Sequence, residues 1–85
     1  MNDQEKNPAK AADISAEQLA FAVFCIESLA EHFSLTGSEM YDLLTQQSRV
    51  LETYILPFYD ALHTQSKAYI VEDIADYMRT LGVVQ

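Results

Sequence analysis

His63 is the side chain of this 85-residue sequence that is best suited to acid–base chemistry. An imidazole titrates near neutral pH and can transfer a proton when an orienting partner holds it beside a substrate. Thr64, Gln65, Glu72 and Asp73 are the polar residues that could surround it. However, His63 closes an apolar helical segment, and a histidine at such a position bonds the free carbonyl groups of the helix end. We therefore predict a structural or contact role for His63 and no catalytic residue in the chain.

Cys25, the only cysteine, is the second candidate for chemistry. A nucleophilic thiol needs an accessible and electropositive environment that lowers its pKa. The neighbours Phe24 and Ile26 are apolar, and the nearby charges, Glu27 and Glu31, are negative. Both features raise the pKa of the thiol, so the sequence predicts that Cys25 packs in the core.

Glu72, Asp73 and Asp76 form an acidic cluster in which Glu72 and Asp76 lie one helical turn apart. Hard cations need about six oxygen ligands from a shaped loop, so two or three carboxylates on a helix are too few. We expect a solvated face or a contact for basic residues of a partner. The sequence also lacks a glycine-rich phosphate loop, a Cys/His metal pattern and a Ser-His-Asp set. These features predict a protein that is not an enzyme and has no cofactor and no metal site.

Five tyrosines could contact a partner, because a phenol combines a large apolar ring with a polar tip. Half-buried tyrosines are equally expected at the rim of a small core, and this alternative stays open. Tyr59 and Tyr69 flank the turn at His63 and are the strongest contact candidates. The predicted partner-binding residues are Tyr59, His63, Thr64, Gln65, Tyr69, Glu72, Asp73 and Asp76.

The first helix is predicted from Ala16 to about Phe33, because Ser15 and Gln18 match a capping box and helical spacing of apolar residues follows. A helix with apolar residues on so much of its surface is normally central to its domain. If the other helices cannot cover all of its apolar surface, we expect Phe21 and Phe24 to contact another chain, so that substitutions there alter assembly. One apolar stripe contains Leu19, Val23, Ile26, Ala30 and Phe33, and the second contains Phe21, Phe24, Cys25 and Ser28.

Two further segments keep helical phase. Thr36 and Glu39 form a second capping box, which opens a short helix that ends at about Gln46. A third segment, which Ser48 could cap, continues to residue 62 through Pro57. Proline removes a backbone donor and disfavours helical geometry in the residue before it, so this segment is predicted to kink or to consist of two abutting pieces.

The last helix is predicted from about Ser66 to Leu81, after a turn at residues 63–65, and Gly82 suits its C-terminal cap. The predicted fold is all-α, a compact bundle of four to five helices. Residues 1–13 are expected to form a flexible arm and residues 14–85 a single helical domain, since chains split into domains only beyond roughly 250 residues. The residues of the last helix predicted to be buried are Ile70, Ile74, Tyr77, Met78 and Leu81.

The net charge of −8 limits the class of partner. From residue 14 onward three cations, Arg49, Lys67 and Arg79, accompany ten carboxylates. Direct nucleic-acid binding is not expected, because it needs clustered Lys and Arg to replace condensed counterions. For the same reason residues 39–55, with Arg49 as their only cation, make a weak helix-turn-helix. An acidic surface favours a partner with a basic site, although it also simply promotes solubility.

The sequence predicts a soluble cytoplasmic protein without membrane contact. Its longest apolar run, from Leu19 to Ile26, has eight residues, whereas a spanning helix needs about twenty. The N-terminal residues are polar and do not form a signal peptide, and a lone thiol fits a reducing compartment.

Two stretches together resemble a known family. They are FAVFCIE at residues 21–27 and YDALHTQ at residues 59–65, followed by YIVEDI at residues 69–74. The chain is similar over most of residues 19–77 to small bacterial proteins catalogued as domain of unknown function 3791. It departs from their usual pattern in having Gln65-Ser66 where a Thr-Gly pair is common. The resemblance implies association with mobile elements and with neighbouring genes for ADP-ribosyltransferase-like proteins, the setting in which antitoxins occur.

The function expected from these observations is that of a protein–protein interaction module, with an antitoxin-like inhibitor of an ADP-ribosyltransferase-like toxin as its most concrete form. The alternative is a DNA-associated regulator, either a weak helix-turn-helix protein or an acidic mimic of nucleic acid. Formation of a homodimer stays open, because a domain of this size buries only about 60–65% of its unfolded surface.

Overall fold

The computed structural model of the chain describes residues 14–84, and all of its regular secondary structure in that range is helical. The predicted all-α bundle is therefore confirmed. The flexible arm predicted for residues 1–13 lies outside the described residues. The five helices are α1 (Ala16–Phe33), α2 (Gly37–Thr45), α3 (Leu51–Ile55), α4 (Tyr59–Leu62) and α5 (Lys67–Thr80).

Both predicted capping boxes are present and fix the starts of α1 and α2. The Ser15 hydroxyl accepts from the Gln18 amide at 3.0 Å, and the Gln18 side chain accepts from the Ser15 amide at 3.1 Å. Thr36 and Glu39 make the same reciprocal pair at 3.0 and 2.8 Å. Each box satisfies two amide donors that would otherwise have no partner in the first turn of a helix.

The segment around Pro57 consists of two abutting helical pieces. The first piece, α3, is a π-helix in which the Leu56 amide donates to the Leu51 carbonyl, five residues back, at 3.0 Å. A turn at residues 56–58 then leads into α4. The interruption at Pro57 is thus as predicted, whereas the π geometry before it was not. The added residue of a π turn changes the helical phase, and Phe58, in the turn that follows, is half exposed.

The ends of α5 follow local sequence signals. The Ser66 side chain caps its start by accepting from the Tyr69 amide at 3.1 Å. At its end Gly82 adopts φ +78°, and the Val83 amide donates to the Met78 carbonyl at 3.0 Å, which is the pattern of a glycine C-cap. The predicted burial of Leu81 is wrong, because this side chain is 50% exposed. The reversal at Gly82 instead brings two valines, Val83 and Val84, against the core.

The core lies between α1, α2 and α5, with α1 packed against both of the others. On α5 the buried positions include Val71 and Ala75, which the sequence prediction missed, while Tyr77 is only half-buried. The largest fully buried side chains are Leu29, Met40, Leu44, Ile55, Ile74, Met78, Val50 and Cys25.

Contrary to what the sequence suggested, the first half of α1 is covered on the side of the second apolar stripe and open on the side of the first. Phe21, of the second stripe, belongs to the core at 9% exposure, so its predicted role in assembly is wrong. Phe24 is partly covered at 37% exposure. From the first stripe, Leu19 and Val23 are 59% and 46% exposed. The helices of this bundle cover the side of α1 that carries Phe21 and Cys25, and they leave the first two turns of the other stripe open.

Candidate interaction surface

The acidic cluster predicted from the sequence lies on the outer side of α5. Tyr69, Glu72, Asp73 and Asp76, together with Ala68, line a shallow groove on the protein surface. Tyr69, Glu72 and Asp76 are exposed, and Asp73 is half-buried. Residues three and four apart on a helix share one face, so the spacing of these four residues places a phenol and three carboxylates side by side. We call Tyr69, Glu72, Asp73 and Asp76 the acidic face of α5.

Asp73 is anchored to α3 by Tyr54. The Tyr54 hydroxyl donates to Asp73 Oδ1 at 2.6 Å, and its ring stacks on Tyr77 at a centroid distance of 4.2 Å and an interplanar angle of 14°. Burial of the ring, together with the hydrogen bond and the negative charge of Asp73, raises the pKa of Tyr54 to about 12. Tyr54 therefore positions one of the carboxylates of the acidic face, a role that the sequence did not indicate.

The remaining carboxylates of this face differ in their surroundings. Asp76 accepts from Arg79 Nη1 at 2.8 Å, and both side chains are exposed. Glu72 has no cationic partner among residues 14–84. The helix dipole does not explain the position of the cluster, because the first turn of α5 contains no acidic residue and the dipole acts mainly within that turn.

Tyr59 and His63 form a second group, which packs against α1 through Tyr59. Their rings stack at a centroid distance of 4.2 Å with planes 8° apart, and the edge of Tyr59 meets Phe21 at 5.4 Å. His63 Nδ1 lies 2.8 Å from the Tyr59 carbonyl oxygen. This contact is the one predicted for a histidine at the end of a helix, and it holds the imidazole against the last turn of α4.

The turn that follows His63 is exposed and held by local hydrogen bonds. The Thr64 hydroxyl lies at 3.5 Å from the Ala61 carbonyl, and the Gln65 amide donates to the Leu62 carbonyl at 3.0 Å. Within residues 14–84 no hydrogen bond, ion pair or ring contact joins this turn to Glu72, Asp73 or Asp76. The eight predicted residues thus form two groups, the ring pair with its turn and the acidic face of α5.

The start of α5 is tied to α1 near the second group. Lys67 Nζ donates to Glu31 Oε1 at 3.2 Å across the two helices. This pair belongs to a shallow groove between α1 and α5, whose other lining residues are Phe24, Glu27 and Ser28. Phe24 also stacks on Phe21 at 6.2 Å, which connects this groove to the ring pair of Tyr59 and His63.

Cys25 is fully buried in the core, as the sequence predicted. Burial raises the pKa of its thiol from 9.0 to about 12. Loss of hydration is thus the cause of this shift, and the acidic neighbours suggested by the sequence are not. A thiol in this environment is held in its protonated form and serves as a small apolar side chain of the core.

The raised pKa values predict that the folded state loses stability at alkaline pH. Cys25 and Tyr54 are neutral when protonated, and folding raises the pKa of each to about 12 from 9.0 and 10.0. The unfolded chain therefore loses these protons first, so their stabilisation is complete below about pH 9 and declines as the pH rises toward 12. The free energy of unfolding should fall by up to about 1.4 kcal/mol per pH unit for Cys25 and by less for the half-buried Tyr54.

Urea unfolding from about pH 8 to about pH 11, followed by circular dichroism, measures this decline. Cys25→Ala and Tyr54→Phe each remove one titrating group, so the slope should become shallower in each variant whatever its stability at neutral pH. A free energy of unfolding that is independent of pH over this range would contradict the prediction.

Residues 14–84 contain no group of three or more His, Cys, Asp or Glu side chains that could hold a metal ion. No single helix in this range has the length and apolar character needed to cross a membrane. Helices α1 and α2 pass that test only when taken together, and they are bent by 110° at the break between them.

Comparison with known proteins gives one match. The family model described as "Protein of unknown function (DUF3791)" matches residues 20–80, which include most of α1, the ring pair and the acidic face of α5. No curated protein and no solved structure matches the chain.

Proposed function

The chain belongs to the family of proteins of unknown function DUF3791, and we propose that it acts as a protein–protein interaction module. The observation that carries this proposal is the acidic face of α5, where Glu72 and Asp76 are exposed beside the half-exposed ring of Tyr69. Carboxylates around an aromatic ring suit a partner site that offers Lys or Arg, because the ring supplies apolar contact and the charges steer the approach.

The distribution of cations favours a protein partner over a nucleic acid. Each of the three cations in residues 14–84 contacts a carboxylate: Arg49 pairs with Glu52, Lys67 with Glu31 and Arg79 with Asp76. A phosphate backbone would have to compete with these carboxylates for every contact. The stretch considered as a helix-turn-helix also contains α3, a π-helix of five residues. Such a short segment offers little more than one turn to a DNA groove.

The most concrete form of the proposal is an antitoxin-like inhibitor that acts in the cytoplasm. The support for this form is what the resemblance to the family implies, namely neighbouring genes for ADP-ribosyltransferase-like proteins. An inhibitor would occupy a basic site on such a partner through its acidic surface. Binding of this kind is expected to weaken as salt is added, because surface charges are screened over about 8 Å at physiological ionic strength.

Co-expression of the tagged chain with the protein encoded by the neighbouring gene tests the proposal. We expect the two proteins to elute together in size-exclusion chromatography at low salt, and to separate more readily as the salt concentration rises. A mobility-shift assay with duplex DNA at low salt is the parallel measurement. A DNA shift without co-elution of the neighbouring protein would favour the regulator and contradict the interaction module.

A further inference from the structure

The outer face of α1 is apolar and open along its first half. The residues of this face recur at i, i+3, i+4, i+7 and i+8, the spacing of one side of a helix that packs against another helix. Leu19 is 59% exposed, and Val23 and Phe24 are 46% and 37% exposed. The side opposite, with Phe21 and Cys25, already contacts the core. We define the outer α1 face as the exposed residues Ala16, Leu19, Ala20, Val23 and Phe24.

Carboxylates border this face. Glu17, Glu27 and Glu31 are exposed on the same helix. The groove between α1 and α5 that contains Phe24 also contains Glu27 and Glu31. Its one cation, Lys67, contacts Glu31 at 3.2 Å. The border of the outer α1 face is therefore negative within the described residues, and a partner that approaches it gains most by carrying cations beside an apolar stripe.

Neither the N-terminal residues nor a second copy of the chain suits this face. Residues 1–13 contain no Leu, Ile, Val or aromatic residue, and Met1 is their one large apolar side chain, which is too little to match Leu19 and Val23. In an antiparallel pair of outer α1 faces, the end of one face that carries Glu27 would lie near the end of the other that carries Glu17. In a parallel pair each glutamate would lie beside its own equivalent. Both arrangements bring like charges together, which lowers the stability of the pair.

We infer that the outer α1 face binds an amphipathic helix of a partner protein, with an apolar stripe flanked by Lys or Arg. From Ala16 to Glu27 the face and its far border together span about 17 Å, or three turns, so a partner helix of about 12 residues covers them. The small side chains of Ala16 and Ala20 let the two backbones approach, and Leu19, Val23 and Phe24 supply the apolar contact. This inference rests on the proposed function, for which it names a second contact surface and the chemistry of the partner.

Two synthetic helical peptides of about 16 residues test the inference. They share one stripe of Leu and Ala at helical spacing and differ only in the flanking residues, which are Lys in one peptide and Glu in the other. Binding to the full chain is measured by fluorescence anisotropy at low and at physiological salt. We expect the Lys-flanked peptide to bind at least about tenfold more tightly than the Glu-flanked peptide, with a smaller ratio at the higher salt concentration.

The double variant Leu19→Ala with Val23→Ala locates the site, because it removes exposed apolar contact and keeps every charge. It should weaken binding of the Lys-flanked peptide about tenfold or more. The matched control is Tyr41→Ala with Leu81→Ala, which truncates two side chains of similar exposure, 52% and 50%, elsewhere on the surface. This control should bind the peptide as the wild type does. Circular dichroism checks that all variants keep their helix content.

Three results would overturn the inference: no binding of the Lys-flanked peptide, equal affinity for both peptides, or equal loss in the two double variants. A dimer of the wild type that Leu19→Ala with Val23→Ala dissociates would also overturn it, because a second copy would then be the occupant. Co-elution with the neighbouring protein separates this failure from that of the proposed function. If co-elution persists while the peptide does not bind, the interaction module stands and only its α1 surface is wrong.

Discussion

Phe21→Ser is expected to lower the free energy of unfolding by about 3 kcal/mol or more, the largest effect on stability of any substitution considered for α1. The ring of Phe21 is 9% exposed, and it contacts Tyr59 edge-on at 5.4 Å and Phe24 at 6.2 Å. Serine would leave a cavity between α1 and α4 and would place a hydroxyl group there. A domain of this size has a total stability of only about 5–10 kcal/mol, so the variant should be close to unfolding.

Phe24→Ser is the matched control, since it makes the same change one turn further along α1 at a ring that is 37% exposed. It should cost roughly 1 kcal/mol, because part of the ring is already in water. Urea unfolding followed by circular dichroism compares the two variants, and Phe21→Leu serves as a milder change if the serine variant does not fold. Equal costs for the two serine variants, or a stable Phe21→Ser with an altered oligomeric state, would return Phe21 to the interface role that the sequence suggested.

The starts of α1, α2 and α5 and the end of α5 could be predicted because their causes are local. The side chains of Ser15, Thr36 and Ser66 each accept a hydrogen bond from the backbone amide three residues later, so both partners lie within four consecutive residues. Gly82 likewise ends its helix through its own backbone conformation. These signals need no knowledge of what the helix contacts, and the sequence alone supplies them.

The orientation of α1 could not be predicted, because it is decided by the other helices. Both stripes are apolar, and periodicity alone does not say which of the two α2 and α5 will cover. Phe21 and Cys25 face the core, whereas Leu19 and Val23 do not. The same limit applies to Leu81, whose place in the helical pattern predicted burial while the turn at Gly82 put Val83 there instead.

The candidate surface could be predicted only where its contacts are local in sequence. The contact of His63 with the Tyr59 carbonyl spans one helical turn and follows from the position of His63 at a helix end. The contact of Tyr54 with Asp73 joins residues 19 apart, and no local pattern marks it. Tyr54 also belongs to the π-helical α3, a geometry that the sequence did not predict. Long-range contacts of this kind require the fold.

Glu72→Lys combined with Asp76→Lys is expected to slow association with the neighbouring protein about tenfold or more at low salt. The double change reverses both exposed carboxylates of the acidic face and takes the formal net charge from −8 to −4, since each substitution adds two charges. Electrostatic complementarity acts mainly on the association rate, so the dissociation rate should change less. Loss of the exposed Asp76–Arg79 pair costs at most about 0.5 kcal/mol, and neither residue is in the first turn of α5, so the fold should persist.

The control for net charge is Asp42→Lys with Glu52→Lys, which makes the same change of +4 at residues of α2 and α3 that are not part of the acidic face of α5. If the acidic face of α5 contacts the basic site of the partner, this control should slow association by only roughly two- to threefold, because it weakens the long-range attraction of the whole chain and leaves the contact itself intact. Stopped-flow or surface-plasmon-resonance measurements at low and high salt give the rates, after circular dichroism has shown equal helix content. Equal slowing by the two double variants would mean that net charge alone steers the partner. The outer α1 face would then be the better candidate for the contact surface, because its apolar residues do not depend on steering.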